Sequence, residues 1–483
     1  MFGRIKSKLI GIGKSVYVRQ KTIHIKINTA ELFISQNRDR DFQRYDIVVR
    51  YLFIEEYFGK NDIGFKLYEK MQKAREGKSF DPLCLDKFKD LIKSYSENGY
   101  EDKSEILLGN SLQLIDGSHR IAASLYFNQS FISAAFTPMR TEYDYSIEWF
   151  IAHDFSEEEI DCIKKKYSEL ERRCNSAFQC IIWPPMEQYF DDATADLEKM
   201  ETVIGYQDYT YTKEQFEFFI KGVYAVDDIE NWKIEKKIEN MTDAGDYYRV
   251  RILDLHMRRP DYRLKQVNNK TISKRGEQLK SAIRTKYSAK ISHYYYDNVM
   301  HIADNSTQNH HIELLKDFEM DISEFFKSIE DEKYVVTKLD APYMPKDFPK
   351  NVPLGKDIDV LCFHESLERL GEAAEKFCAV YALQYNCVRR VLGADRIQIR
   401  LELNGYTLFI WDFACREEGL NDAFIRDAVQ DYDTSDYIKC IKPEYEVIYR
   451  RNILKHKPKA YHEEWICNHM DLLDSEKEKL YQA

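Results

Sequence analysis

The feature that most restricts the fold is a change of period inside residues 112–127, LQLIDGSHRIAASLYF. The stretch reads first as a strand, then turns tightly at Asp116-Gly117, then continues as an amphipathic helix. Gly117 permits a sharp turn and Ser118 is placed to cap the helix. The backbone N–H groups of that first helical turn, together with His119 and Arg120, face one small volume. Such a volume suits a phosphate chain.

The same alternation of short strands and helices recurs along the chain and predicts an α/β and α+β multidomain fold. Residues 45–58 and 64–75 read as helices, and Ile106–Ile115 and Phe131–Phe136 as strands. A charged-face helix follows from Ser146 to about Arg173. Tyr248–Met257 and Asn298–Ile302 read as strands, Phe216–Asp227 and Gly276–Tyr287 as helices. Four prolines between Asp340 and Pro353 mark a linker or long loop. Beyond it come a strand at Ile358–Cys362, a helix from about Ser366 to Tyr385, a hairpin and a helical tail. With 483 residues and about 150 per domain, the expected units are a basic arm at 1–21, a first domain at 22–145, a central helical plus α/β domain at 146–330, a third domain at 331–420 and a tail at 421–483.

Charge narrows the function classes. Seventy-one Lys+Arg against 82 Asp+Glu give a formal charge of −11, which argues against general nucleic-acid binding. No apolar run reaches the roughly 20 residues of a membrane span, and no secretory leader follows Met1. Ten cysteines without a Cys-x-x-Cys pair point to reduced thiols in a cytoplasmic protein. Residues 1–27 carry seven Lys/Arg and no acid; a solvated arm is one reading, and a weak foot on the inner membrane face is the other.

Gly117-x-x-Arg120-x-x-Ala123 resembles the phosphate-binding box of the ParB/sulfiredoxin fold, and the Asp-Gly-x-His-Arg form is most similar to its small-metabolite kinases, such as free serine kinases. The resemblance covers roughly residues 22–140, and the Arg38…Arg44–Asp46 stretch is compatible with it. It implies a nucleotide, ATP or CTP, gripped by Gly117, Ser118, His119 and Arg120. It also implies Asp116 and His119 as catalytic residues beside the transferred phosphoryl group. A catalytic glutamate is implied as well, with Glu31, Glu55 and Glu56 as candidates.

A second constellation lies in LGKDIDVLC, residues 354–362. Asp357 and Asp359 are two apart, so on a strand both carboxylates leave one face, while Ile358 and Val360 pack on the other. Adjacent carboxylates repel unless a cation lies between them, and Mg²⁺ suits an all-oxygen, phosphate-bridged site. Downstream, Asn404-Gly405 is a strong two-residue turn. Counting across it sets Ile397 opposite Asp412, which places Asp412 on the apolar face of the hairpin, where a carboxylate requires a partner or a metal. Gly-x-Asp-x-Asp with a third strand aspartate is similar to the polymerase-beta-like nucleotidyltransferase fold over about residues 333–415. That likeness implies Asp357, Asp359 and Asp412 as metal ligands. The family's Gly-Ser or Gly-Gly pair has no counterpart in Tyr334–Lys356.

In the middle of the chain, Lys280 and Arg284 share one helical face and precede a strand ending in His301-Ile302-Ala303-Asp304. Histidine and aspartate at a strand's C-terminal end are placed where open α/β sheets bind ligands. The combined expectation is a phosphoryl or nucleotidyl transferase acting on a small metabolite or sugar with Mg²⁺, a pairing that suits surface-polysaccharide biosynthesis. The alternatives are a non-catalytic scaffold that binds nucleotide or precursor, and a nucleic-acid nucleotidyltransferase.

Overall fold

The computed structural model describes residues 23–37, 43–100, 105–109, 112–137, 144–175, 177–227, 229–242, 245–265, 270–291, 295, 298–379, 386–403 and 406–482. The basic arm, Arg38 and the Asn404-Gly405 turn lie outside them. The fold is mixed α/β and divides into two compact units. The first comprises the chain up to Thr210 plus Arg249–Asn309; the second comprises Tyr211–Tyr248 plus His310–Ala483. The expected boundaries at 145, 330 and 420 fall inside these units.

In the first unit, β1 (Ile23–Asn28), β2 (Ile106–Leu108), β3 (Leu114–Asp116) and β4 (Phe131–Phe136) form one sheet in the order β1-β4-β2-β3. The single strand expected at Ile106–Ile115 is instead two antiparallel strands. The chain folds back where the Gly109 N–H donates to the Gln113 carbonyl and Leu112 adopts a φ of 61°. The helix Tyr45–Tyr57 is buried from Asp46 to Ile54, so it lies inside the unit rather than on its surface. The helix Gly64–Glu76 packs against it. A Cβ at Gly64 would lie 2.2 Å from the Leu52 carbonyl oxygen, so glycine is what permits the close approach. The expected helix from Ser146 to about Arg173 is two helices, Ile147–Ala152 and Glu157–Cys174. Asp154 turns the chain with a φ of 62°, and Ser156 and Glu159 close a capping box on the second helix.

A second sheet has the order β10-β5-β7-β6, from β5 (Phe178–Ile182), β6 (Thr202–Thr212), β7 (Tyr247–His256) and β10 (Met300–Ile302). All five residues of β5 are buried, as its near-continuous apolar sequence predicts for an interior strand. A ribbon of β8 (Tyr262–Lys265) and β9 (Lys270–Ser273) stands beside the helix Lys274–Tyr287.

The second unit holds a short ladder of β11 (Glu319–Met320) with β13 (Val352–Pro353) and a seven-stranded sheet. That sheet contains β12 (Tyr334–Val336), β14 (Asp357–Cys362), β15 (Asn386–Val391), β16 (Arg396–Leu403), β17 (Tyr406–Ala414), β18 (Tyr432–Ser435) and β19 (Ile438–Ile441). Its order is β15-β16-β17-β14-β12-β19-β18. The tail is therefore not purely helical, because β18 and β19 extend the sheet beyond β12. The proline-bearing segment 340–353 is no free linker either: Ala341 and Val352 are buried, and Asp340 pairs with Arg450.

Candidate functional site

Gly117 ends β3 with a φ of 115°, and a Cβ there would lie 2.4 Å from Ile106 Cγ2. Both conditions select glycine. Ser118 does not cap the helix Ser118–Tyr126. Gly117 takes the cap position, and the Ser118 hydroxyl accepts a hydrogen bond from Arg44 Nη2 at 2.8 Å. Arg44 also donates to the Leu114 carbonyl at 2.7 Å and forks onto Asp46 at 2.7 and 3.0 Å. One guanidinium thus ties β3, the turn and the helix Tyr45–Tyr57 into a single corner.

That corner gathers positive charge. Arg50 donates to Asp46 at 2.8 Å, and Arg75 also acts on the same carboxylate. Burial opposes the Asp46 charge, but Arg44 and Arg50 overcome it and hold the carboxyl far below its usual range. Among the described residues three guanidiniums act on one buried carboxylate, and Arg50 Nε is buried without a hydrogen-bond partner. An anion is the natural complement.

His119 is held differently from the expectation of a group beside the reacting phosphate. Its ring packs edge-on against Phe88 and Tyr68, and Nε2 lies 2.7 Å from the Tyr68 hydroxyl. Burial, then Arg50 and Arg75, lower its pKa well below the ordinary value, so the ring is neutral near pH 7. Arg120 donates to the Glu105 carbonyl at 2.6 Å and stands 3.6 Å from Asp116. Asp116 is the exposed member, with 78% of its side chain open to solvent.

The candidate glutamates are each engaged elsewhere. Glu31 is buried and accepts from the Ser306 N–H at 2.6 Å and from Thr271. Glu55 pairs with Lys166 at 2.9 Å, and Glu56 accepts from the Phe65 N–H at 2.6 Å. Sequence reasoning missed Arg50, Arg75 and Tyr68, which lie far from the motif in the chain. Asp46 and Arg50, one helical turn apart, with Arg44 just ahead of the helix, were the available signal. In the same unit a cavity of about 510 Å³ is walled by Gln43 and Tyr45, the two neighbours of Arg44, and by Arg258, Arg259 and Arg263. Its volume is that of a small-ligand pocket.

In the second unit Asp357, Asp359 and Asp412 do share one face, though not for the expected reason. A bulge at Leu401/Glu402 shifts the hairpin register, so Asp412 faces Gln398 and Ile397 faces Phe413. Asp412 therefore lies on the polar face rather than the apolar one, directly beside Asp359 across the β14–β17 ladder. Its carboxylate accepts from Arg396 at 2.6 and 2.7 Å and from Gln398 at 2.6 Å. Asp359 is paired with Lys338. Burial works against the Lys338 charge, but Asp359, with Asp357 beyond it, holds the ammonium above its ordinary pKa. A Mg²⁺ ion at these carboxylates would have to displace Lys338 and Arg396. The three aspartates do not bring one oxygen each within 4.8 Å of one another; among the described residues that closeness belongs to His364, Asp395 and Cys415.

The mid-chain candidates do not converge on an open ligand site. Lys280 pairs with Asp304 at 2.6 Å and with Glu277, and Arg284 donates to the Met300 carbonyl at 2.9 Å. His301 is buried in the middle of β10, opposite Ile181, not at a strand end. These contacts brace the helix Lys274–Tyr287 against β10. No family model, curated protein or solved structure matches the chain. Among the described residues, no helix is long and apolar enough to cross a membrane.

Proposed function

We propose that the first unit is a ParB/sulfiredoxin-like phosphotransferase that binds ATP or CTP by its phosphates and phosphorylates a small metabolite or sugar. The observation that carries this reading is the cluster of Arg44, Arg50 and Arg75 around the single carboxylate of Asp46, tied to the Asp116–Arg120 turn through Ser118. In this reading Arg120 leaves the Glu105 carbonyl to meet a phosphate oxygen, and the N–H groups of the helix Ser118–Tyr126 complete the cradle. Asp116, exposed at the mouth, takes the acceptor hydroxyl's proton as general base. His119 is a positioning residue, held neutral by burial and by the arginines. Bound Mg²⁺ would supply charge neutralisation to the nucleotide phosphates.

The test separates binding from turnover. Asp116→Asn retains nucleotide affinity and loses phosphoryl transfer from γ-labelled ATP or CTP to a panel of hydroxylated metabolites and sugars. Full turnover in that variant contradicts the assignment.

A second reading concerns the second unit and rests on the Lys338–Asp359 and Arg396–Asp412 pairs. These built-in cations occupy the carboxylates that the nucleotidyltransferase likeness gives to metal. The nucleotidyltransferase-like unit is then a non-catalytic module that binds nucleotide or precursor. Lys338→Ala and Arg396→Ala abolish its ligand binding without creating Mg²⁺-dependent nucleotidyl transfer; the appearance of such transfer overturns this second reading.

A further inference from the structure

The strands that carry the C-terminal aspartates bring a different set of donors together at their far end. Cys362 closes β14, and His364, two residues on, opens the helix His364–Ala379. The parallel β14–β17 ladder sets Leu361 beside Ala414, so Cys415 emerges next to that helix start. Asp395 immediately precedes β16, and the Cys415 N–H donates to its carbonyl at 2.9 Å, which fixes the two residues side by side. Three neighbouring strand ends thus deliver an imidazole, a carboxylate and a thiol to one point.

Their ligand atoms all lie within 4.8 Å of one another, and Cys415 Sγ stands 3.9 Å from Asp395 Oδ1. Around a tetrahedral zinc ion with bonds of about 2.0–2.3 Å, donor atoms are separated by about 3.3–3.8 Å. Small side-chain rotations therefore close the set, and His364 is exposed, so an ion reaches it from solvent. Magnesium and calcium take all-oxygen shells, whereas a nitrogen, an oxygen and a sulfur together suit zinc.

We propose that His364, Asp395 and Cys415 bind a zinc ion, with water or a small anion in the fourth position. Three protein donors and one open place are the arrangement of an accessible zinc rather than a closed structural one. On binding, the Cys415 thiol gives its proton to solvent and its sulfur bonds to the metal, so uptake releases a proton and weakens as pH falls. Without metal, burial and then Asp395 keep that thiol protonated. The proposal concerns only the second unit and stands apart from the nucleotide site of the first.

Cobalt(II) titration of the full-length, zinc-free chain reads the site directly. The expected result is saturation at one ion per chain, with a thiolate-to-cobalt charge-transfer band and the strong visible bands of tetrahedral cobalt. Cys415→Ser removes the charge-transfer band. His364→Gln, an exposed change that leaves the fold intact, weakens affinity by about tenfold or more. Cys467→Ser, at an exposed cysteine elsewhere in the unit, changes neither. A wild-type chain without the band overturns the proposal. So does a band that survives Cys415→Ser, or affinity unchanged by His364→Gln.

Discussion

Asp46 concentrates the electrostatics of the first unit in one residue. Removing one partner of a buried ion pair costs about 3–5 kcal/mol, because the remaining charge is left uncompensated. Asp46→Asn strands Arg44 and Arg50 and lowers stability by about that amount in urea unfolding. Acid acts in the same direction through two kinds of group. A depressed carboxyl such as Asp46 stabilises the fold above its unfolded pKa and loses that contribution as pH falls below about 4. His311 is buried, its Nε2 donates to the Gly222 carbonyl at 2.6 Å, and burial lowers its pKa to about 4. The folded chain therefore favours neutral His311, and its contribution is complete above about pH 6.5 and lost as pH falls toward 4. The shift is worth about 3 kcal/mol. Melting temperature falls across that window, and His311→Gln flattens the fall; an unchanged slope contradicts the linkage.

At the scale of elements, several local signals were read well and tertiary ones were not. The strand–turn–helix at 112–127, the helices Tyr45–Tyr57 and Gly64–Glu76 and the strand β14 follow from period and turn chemistry alone. The bulge at Leu401/Glu402 has no glycine or proline to announce it, yet it moves Asp412 from one face of the hairpin to the other. The fold-back between β2 and β3 rests on the bond from the Gly109 N–H to the Gln113 carbonyl, and Gly109-Asn110-Ser111 is the turn signal that reading Ile106–Ile115 as one strand passes over. Lys338 joins Asp359 only because β12 and β14 are antiparallel neighbours. The capping box Ser156-x-x-Glu159 was a local signal that reading one helix from Ser146 to about Arg173 passed over, and its energy is testable. Ser156 accepts from the Glu159 N–H at 3.2 Å and Glu159 returns a bond to the Ser156 N–H at 3.0 Å. Ser156→Ala costs about 1 kcal/mol by thermal unfolding, and a cost near zero contradicts the cap.

At the scale of the whole molecule, each compact unit is built from separated stretches of chain. The second unit draws the helix Lys213–Ala225 from within the first half of the sequence. Phe218 on that helix packs on Tyr406 at 4.8 Å, and Gly222 provides the carbonyl for His311. Residues 310–483 expressed alone therefore melt below the same unit in the full chain; an equal melting temperature shows that the helix is dispensable. If the Asp116–Arg120 turn, backed by the buried arginines Arg44, Arg50 and Arg75, holds nucleotide phosphates, calorimetric titration of the full chain with Mg²⁺ and ATP or CTP reads it directly. The expected result is measurable binding that Arg120→Ala weakens by about 1.5–3 kcal/mol, the worth of a hydrogen bond to a charged group. Identical affinity in wild type and variant, or no binding by the wild type, contradicts it.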